Sequence, residues 1–395
     1  MVAQFQWPIL GVVIPVALIS VVAYGSHFFI LRHHLSAQEQ IGYECMVSMI
    51  WVSYALAIFK EPGRPPKKYE PRAGEWRRFC KKCQGFRPPR THHCSQCQQC
   101  VLEMDHHCPW TMNCVGHENF PHFMRFLSWI LIGCTYLLVQ LCSRIMEYYN
   151  MSEMPIYLVD KVELSAVIVF TLADLFVLLT IGLLFIRCVW NMGKGMTQIE
   201  TWEWEQLESQ FRQRRLWSQI RENYEKLHKS KLPPLSTWTN ASSQQQADED
   251  GMVETHELMQ LDSQQEEEEE DASTGNFQNT KRRSRSNSEQ VEVPSNFTID
   301  DVIFPYDYGC WGNFTSALGP VYSWMIPCCG PKGNGYDISA SKEFEEFDQL
   351  GLPWPPNFVY QDIGVRDSNY ITKREWRNDM GESLTDYGVD MEAED

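Results

Sequence analysis

Residues 80–114 read CKKCQGFRPPRTHHCSQCQQCVLEMDHHCPWTMNC, and this stretch decides the fold around it. It contains seven of the chain's 14 cysteines together with four histidines. Cysteine pairs at C-x2-C spacing let two thiolates bind one tetrahedral ion at about 2.3 Å. Two four-coordinate zinc sites need eight ligands, and eleven candidates are present. At least one Cys or His is therefore free for a role other than structure.

A catalytic interpretation rests on the run Asp105, His106, His107 and Cys108. Successive side chains of an extended segment point to opposite faces, so if His107 faces a zinc ion, His106 and Cys108 face away from it. A thiol beside an imidazole, with a carboxylate behind that imidazole, is the arrangement of an activated nucleophile, because the thiolate is the attacking species. A zinc ribbon without catalysis stays open. A disulfide cluster is disfavoured because the basic flanks indicate the cytosol, where thiols stay reduced.

The spacing C-x2-C-x9-H-C-x2-C-x2-C-x4-D-H-H-C-x5-C-x4-N-x3-F, from Cys80 to Phe123, resembles the cysteine-rich domain of the DHHC protein S-acyltransferases, or palmitoyltransferases. The resemblance implies an enzyme that moves a fatty acyl group from palmitoyl-CoA to cysteines of substrate proteins. It further implies two ping-pong steps through an acyl-Cys108 intermediate, with His106 as the base and Asp105 as the residue that orients it.

The resemblance also assigns ligands to two structural zinc ions, each held by three cysteines and one histidine. The first set is Cys80, Cys83, His93 and Cys100, and the second is Cys94, Cys97, His107 and Cys114. His92 is left over, and we expect it to pack or to lie behind a ligand.

Four long apolar runs predict membrane spans, since about 20 apolar residues cross a bilayer. They are residues 7–31, 41–59, 126–142 and 164–190, bordered by Trp and Tyr as membrane helices commonly are. Basic residues are concentrated between the second and third runs, so the positive-inside rule places that loop and both termini in the cytosol. The predicted fold is an all-α polytopic membrane protein with four transmembrane helices, a cytosolic zinc-binding cysteine-rich domain between helices 2 and 3, and a partly disordered C-terminal region.

These patterns divide the 395 residues into six segments. They are transmembrane helices 1 and 2 at 1–63, the cysteine-rich zinc domain at 64–123, transmembrane helices 3 and 4 at 124–192, a juxtamembrane helical segment at 193–238, a disordered acidic and Ser-rich linker at 239–298, and a cytosolic C-terminal region at 299–395. Within the juxtamembrane segment, the periodicity of apolar residues predicts one helix from Thr201 to Leu227.

Three further positions carry expectations. Thr197-Gln198-Ile199-Glu200 resembles the family's Thr-Thr-x-Glu motif with Gln198 in place of the second Thr, which leaves its contact to Asp105 open. Asn313 matches a downstream family motif in which the Asn packs against the membrane bundle, with Leu318 where the family has an aromatic residue. Asp174 lies in the middle of the fourth span, and we favour an inter-helix hydrogen bond over a contact near a substrate cavity.

The partners follow from topology and resemblance. The acids beside the basic patch at 281–288 argue against nucleic-acid binding, because they cancel the field that a phosphate backbone would need. Similarity to fungal endoplasmic-reticulum members of the family implies a multi-pass protein of that membrane. Its substrates would be proteins, many of them polytopic, with cytosolic cysteines close to the bilayer. A membrane-anchored zinc adaptor and a small transporter are the alternatives, and four spans with only one charge near mid-membrane, Asp174, argue against the transporter.

Overall fold

The structure is a computed structural model of the chain and describes residues 8–151, 159–213, 216–235, 297–327, 330–358 and 376–394. The predicted linker at 239–298 lies almost entirely outside these residues, as do the basic patch at 281–288 and the adjacent cysteines 328 and 329.

Four helices are long and apolar enough to cross a membrane. They are α1, which starts as Pro8–Ile19 and continues through π-helical turns at Ser20–Tyr24 and His27–Leu31 to Arg32–His34, then α2 (Ala37–Phe59), α3 (Phe120–Asn150) and α4 (Lys161–Gly193). Each predicted span coincides with one of them. The third is much longer than its apolar run because buried polar residues such as Arg125 interrupt the run without ending the helix.

The helices pack as a bundle in which α3 contacts both α2 and α4. Close approach depends on small residues, since a Cβ at Gly25 of α1 would lie 2.6 Å from the Phe170 ring of α4. Large apolar side chains such as Phe176 and Leu179 point outward, as expected of a surface that faces lipid. Asp174 is fully buried, and the thiol of Cys134 on α3 is its polar neighbour.

Three short antiparallel hairpins form the cysteine-rich segment between α2 and α3. They pair β1 (Phe79–Cys80) with β2 (Gly85–Phe86), β3 (His92–Cys94) with β4 (Gln99–Val101), and β5 (His106–Cys108) with β6 (Asn113–Val115). The protein is therefore mostly helical, and the all-α prediction did not include these strands.

The remaining described elements follow α4. They are α5 (Gln198–Arg212), α6 (Trp217–His228), a 3-10 turn at Ile299–Asp301, α7 (Cys310–Leu318), a 3-10 turn at Val321–Ser323, α8 (Lys342–Phe347) and α9 (Met391–Glu394). An aromatic core joins α5 and α6 to the later segments, with Trp204 and Trp354 stacked 5.5 Å apart and Phe304 edge-on to Trp354 at 5.1 Å.

The single helix predicted from Thr201 to Leu227 is wrong, because α5 and α6 are separate helices. Phe211 and Trp217 meet edge to face at 5.4 Å and pack against the same core. Residues six positions apart on one continuous helix point in directions that differ by about 120°. A break between the two helices lets both rings cover the core.

Asn113 fastens the hairpins to the end of α2. Its side-chain amide lies within hydrogen-bonding distance of the carbonyls of Ala57, Ile58 and Lys60, at 3.2, 3.1 and 2.8 Å. The last carbonyls of a helix have no partner within the helix, so a side-chain donor here satisfies groups that would otherwise be unbonded. The third hairpin is thereby held at one end of the bundle.

We expect Asn113→Ala to destabilise the protein by about 1–2 kcal/mol, because these carbonyls lose their donor while remaining partly shielded from water. The measurement is the thermal unfolding midpoint in detergent, at fixed zinc content. Ser165→Ala on α4 is the matched control, since that exposed hydroxyl bonds only the Lys161 carbonyl of its own helix. Equal midpoints for Asn113→Ala and the control would contradict the role assigned to Asn113.

Candidate active site

Strand β5 and the residue before it bring the three predicted catalytic side chains together. His106 Nδ1 lies 2.8 Å from Asp105 Oδ2, and the interaction of the imidazole with the Cys108 thiol contributes to the raised pKa of His106. The ring of Phe123 packs edge-on to His106 at 5.4 Å and fixes the plane of the imidazole. The arrangement is a carboxylate, imidazole and thiol in series, which is the geometry of an activated cysteine nucleophile.

The start of α5 holds the carboxylate. The backbone N–H of Gln198 donates to Asp105 Oδ1 at 2.9 Å, at a helix end where N–H groups lack partners and an anion is favoured. Thr197 and Glu200 form a capping box that fixes this helix start. Since the main chain makes the contact to Asp105, the Gln side chain in place of Thr does not prevent it, which answers the question left open by the sequence.

The electrostatics favour an ion pair between imidazolium and thiolate. Burial works against the charged imidazole, but hydrogen bonds to Asp105 and Cys108 outweigh it and raise the pKa of His106 to about 10. Burial likewise works against the thiolate, but the hydrogen bond from His106 and further bonds from Thr111 lower the pKa of Cys108. The lowered pKa of Cys108 favours the thiolate, which is the nucleophilic form.

Cys108 faces the inner, apolar end of the helix bundle. Its side chain is 5% exposed and belongs to a cluster with Tyr54 of α2 and Phe123 of α3. Tyr54 also donates a hydrogen bond to the Trp110 carbonyl at 2.7 Å. A Cβ at Gly11 of α1 would lie 2.0 Å from the carbonyl oxygen of Pro109, so only glycine lets α1 approach this turn.

The first predicted metal set converges on one histidine nitrogen. Nδ1 of His93 lies 3.4, 3.3 and 3.7 Å from the sulfur atoms of Cys80, Cys83 and Cys100. A tetrahedral ion bound at about 2.3 Å to sulfur and about 2.0 Å to nitrogen sets edges of about 3.5 Å. The donor set and its spacing therefore fit a zinc ion.

The second predicted set has the same form. Nδ1 of His107 lies 3.6, 3.4 and 3.7 Å from the sulfur atoms of Cys94, Cys97 and Cys114. In each cluster the four ligand atoms lie within 4.8 Å of one another, and all six cysteines are free thiols. His92 is buried in β3 and belongs to neither cluster. Both clusters could hold a metal ion.

A 14-residue repeat relates the hairpins, and sequence reasoning overlooked it. Moving every member of the first ligand set by 14 positions gives the second set. The turn residues Gln84, Gln98 and Met112 follow at the same interval and share a φ of 53°. The two interleaved sets can thus be recognised from spacing alone, as C-x2-C-x9-H-x6-C repeated 14 residues later.

Cys108 is the third member of this series. It occupies the place that Cys80 and Cys94 hold in the first two hairpins, where the second cysteine of each hairpin donates its N–H to the first cysteine's sulfur at 3.3 Å. In the third hairpin Thr111 replaces that second cysteine, and its N–H and its hydroxyl each donate to the Cys108 carbonyl at 3.3 Å. Thr111 also lowers the pKa of the Cys108 thiol, and because the other metal ligands are missing from this hairpin, Cys108 belongs to neither cluster.

A buried ion-pair network connects the second hairpin to the start of α5. The Arg90 guanidinium makes two hydrogen bonds of 2.6 Å to the Glu200 carboxylate and lies 3.7 Å from Glu103. His117 Nδ1 lies 3.1 Å from Glu103. These charges are shielded from water and paired, so they fix the backbone that precedes Asp105.

Asn313 supports the site from the C-terminal side, in the place that the sequence motif indicated. Its amide nitrogen donates to the Gly193 carbonyl at 2.9 Å and to Asp307 Oδ1 at 2.7 Å, and its oxygen accepts from Tyr308 N at 2.8 Å. Asn313 thus connects the end of α4 to α7. Leu318, the residue in place of the family's aromatic, is buried in the cluster that contains Cys108.

Comparison with known proteins agrees with this geometry. The sequence model of the DHHC palmitoyltransferase family matches residues 74–205. The chain is 45% identical to Palmitoyltransferase PFA4 of Debaryomyces hansenii over all of this chain and 96% of that protein. It is 43% identical to Palmitoyltransferase PFA4 of Candida albicans and 36% identical to that of Saccharomyces cerevisiae, in both cases over the full length of both chains.

We expect His106→Ala to move the alkylation profile of Cys108 to higher pH. Without the imidazolium, burial dominates and raises the pKa of the thiol. Its thiolate fraction at neutral pH then falls about tenfold each time this pKa rises by about one. The measurement is the iodoacetamide modification rate of Cys108 against pH, followed by mass spectrometry on zinc-loaded protein.

His33→Ala serves as the control, because His33 is exposed at the C-terminal end of α1. Gly11, which contacts the turn after Cys108, lies near the opposite end of that helix. A His106→Ala profile that overlays both wild type and His33→Ala would show that His106 does not activate the thiol.

Proposed function

Because the chain belongs to the DHHC family of protein palmitoyltransferases, we propose that it transfers a fatty acyl group from acyl-CoA to protein cysteines in two steps through Cys108. The observation that carries the proposal is the series of contacts from Asp105 to His106 to Cys108 at the apolar end of the bundle. The residue types, their order and their hydrogen bonds suit nucleophilic catalysis by a thiolate.

In the first step the Cys108 thiolate attacks the thioester carbonyl of acyl-CoA. A bond forms between the Cys108 sulfur and the acyl carbon, the bond to the CoA sulfur breaks, and the departing CoA thiolate takes the proton from the His106 imidazolium. The raised pKa of His106 keeps this proton available at neutral pH. Asp105, bonded to Nδ1, holds the ring with its other nitrogen toward the sulfur.

In the second step a substrate cysteine attacks the acyl-Cys108 thioester. His106, now neutral, takes the proton of the incoming thiol, and Cys108 leaves as a thiolate that restores the ion pair. Atoms and charges balance over the two steps, and no group is oxidised or reduced. The acyl chain of the intermediate would extend into the apolar cluster that surrounds Cys108, among side chains such as Tyr54 and Phe126.

The two Cys and His clusters would each hold a structural zinc ion. Three thiolates and one imidazole fill a tetrahedral coordination sphere, which is the structural rather than the catalytic type. When bound, each ion supplies cross-linking of the hairpins. The proton transfers described above involve only the chain's own residues. The role of the metal ions would be to hold the catalytic strand in position.

The proposal also covers the topology, the organelle and the substrates. The positive-inside rule supports cytosolic termini and a cytosolic cysteine-rich segment, and the resemblance found in the sequence implies the endoplasmic reticulum. A nucleophile at the end of the membrane helices would reach cysteines close to the bilayer, so substrates would include polytopic membrane proteins. An adaptor function would use the metal clusters but leaves the hydrogen bond between Asp105 and His106, and the lowered pKa of Cys108, unexplained.

We expect purified wild-type protein to label itself with palmitoyl-CoA through a thioester that neutral hydroxylamine releases. Cys108→Ser should abolish the label while it retains two zinc ions, because the nucleophile is lost and the metal ligands are not. Cys310→Ser is the matched control, since that exposed cysteine lies outside the site, and it should label as wild type does. Zinc-loaded wild type without label would favour the adaptor.

Removal of zinc should abolish activity and hairpin structure together, because the hairpins are short and depend on the metal cross-links. We expect a chelator titration to lower self-acylation in parallel with zinc content. Hydrogen exchange of residues 80–115 provides the independent structural measurement. Full activity at less than about a tenth of the initial zinc would contradict a structural requirement for the metal.

A further inference from the structure

The C-terminal segment 376–394 lies across the zinc-binding hairpins. Its backbone pairs with strand β3: Ser95 N–H donates to the Gly388 carbonyl at 2.9 Å, and Asp390 N–H donates to the His93 carbonyl at 2.8 Å. The segment therefore adds an antiparallel partner to a strand that carries ligands of both clusters. Sequence reasoning gave it no role at the site, because its contacts to the hairpins join residues that are far apart in sequence.

The approach of this segment requires a glycine. Gly388 has a φ of +87°, and a Cβ there would lie 2.6 Å from the Cβ of His107. Further along, Ala393 is fully buried against Cys80 and Cys100. These close contacts with both clusters show that the segment is tightly packed against the hairpins.

Tyr387 is the point where the segment reaches the reactive residues. Its carbonyl accepts a hydrogen bond of 2.8 Å from the His107 N–H, within the catalytic strand β5. Its hydroxyl donates to Glu382 Oε2 at 2.6 Å and accepts from Gln198 Nε2 and the Arg187 guanidinium, each at 3.2 Å. One residue thus contacts both the strand that carries His106 and the helix start that holds Asp105.

We propose that Tyr387 is a positioning residue for acyl transfer, which sets the orientation of Asp105 and His106 through Gln198. The Gln198 amide is held between the Tyr387 hydroxyl and the Asn191 side chain, whose nitrogen donates to it at 3.1 Å. This fixes the backbone N–H that bonds the Asp105 carboxylate. A carboxylate fixed at both oxygens keeps the imidazole aimed at the sulfur.

The proposal rests on the proposed acyl-Cys108 function, and the test separates the two. The experiment uses the full-length, zinc-loaded protein and measures the self-acylation rate constant and the KM for palmitoyl-CoA. Tyr387→Phe keeps the ring and removes the hydroxyl. We expect the rate constant to fall about tenfold with KM unchanged, since the hydrogen bonds lost are worth roughly 1.4 kcal/mol.

Two further variants sharpen the comparison. Tyr69→Phe is the matched control, because it also removes a hydroxyl that donates to a carboxylate at 2.6 Å, here Glu75, away from the site. Gln198→Ala removes the amide but keeps the backbone N–H that reaches Asp105. If Tyr387 acts through Gln198, the double variant should be no slower than the slower single variant.

The outcomes are distinct. Slow labelling by Tyr387→Phe at full zinc content and unchanged KM, with non-additive behaviour in the double variant, supports the proposal. Wild-type rates for Tyr387→Phe, additive losses, or a rate that falls only in proportion to zinc content would each overturn it. A wild type without label at Cys108 would instead contradict the proposed function, whatever the variants do.

Discussion

Three thiols and one imidazole nitrogen must meet at each of two points in the cysteine-rich segment, and most of the site depends on this constraint. The hairpins are only two or three residue pairs long, so their backbone hydrogen bonds alone could not hold them. Filled tetrahedral spheres would cross-link strands that are otherwise marginal. Because the two ligand sets interleave along the chain, ordering one of them also limits the other. Strand β5 carries a member of the second set, His107, between His106 and Cys108, so a bound metal ion and the proposed chemistry would share one strand.

A second constraint acts on the carboxylate. The Asp105 carboxylate lies against the N-terminal end of α5. There the main-chain N–H of Gln198 and the polarity of the helix end favour the anion. This arrangement explains why the Gln in place of the family's Thr is compatible with the site. The contact that matters to Asp105 belongs to the backbone, and the side chain is free to bond Tyr387 and Asn191 instead.

The location of the site at one end of the helix bundle has its own physical causes. Asn113 bonds the last carbonyls of α2, Tyr54 bonds the turn after Cys108, and Gly11 lets α1 approach that turn. These contacts place a thiol of lowered pKa beside apolar side chains of the bundle. For a palmitoyltransferase, this brings a nucleophile that needs polar support together with the surface on which a fatty chain is most stable.

The sequence by itself determined the four spans, the proposed reactive residues and both ligand sets, because each is recorded locally: in apolar runs long enough to span a bilayer and in fixed spacings of Cys and His. The 14-residue repeat is enough to assign the two ligand sets from spacing alone, without the family resemblance. It also leaves Cys108 outside both sets. The sequence did not determine the break between α5 and α6. The apolar periodicity continues from one helix into the other, although the core requires a break so that residues of both helices can pack against it. Nor did it reveal the contacts of Gln198 and Tyr387, which join residues far apart in the chain. Tertiary structure alone decided these, because a hydrogen bond between distant residues depends on where packing places the backbone and leaves no pattern in the local sequence.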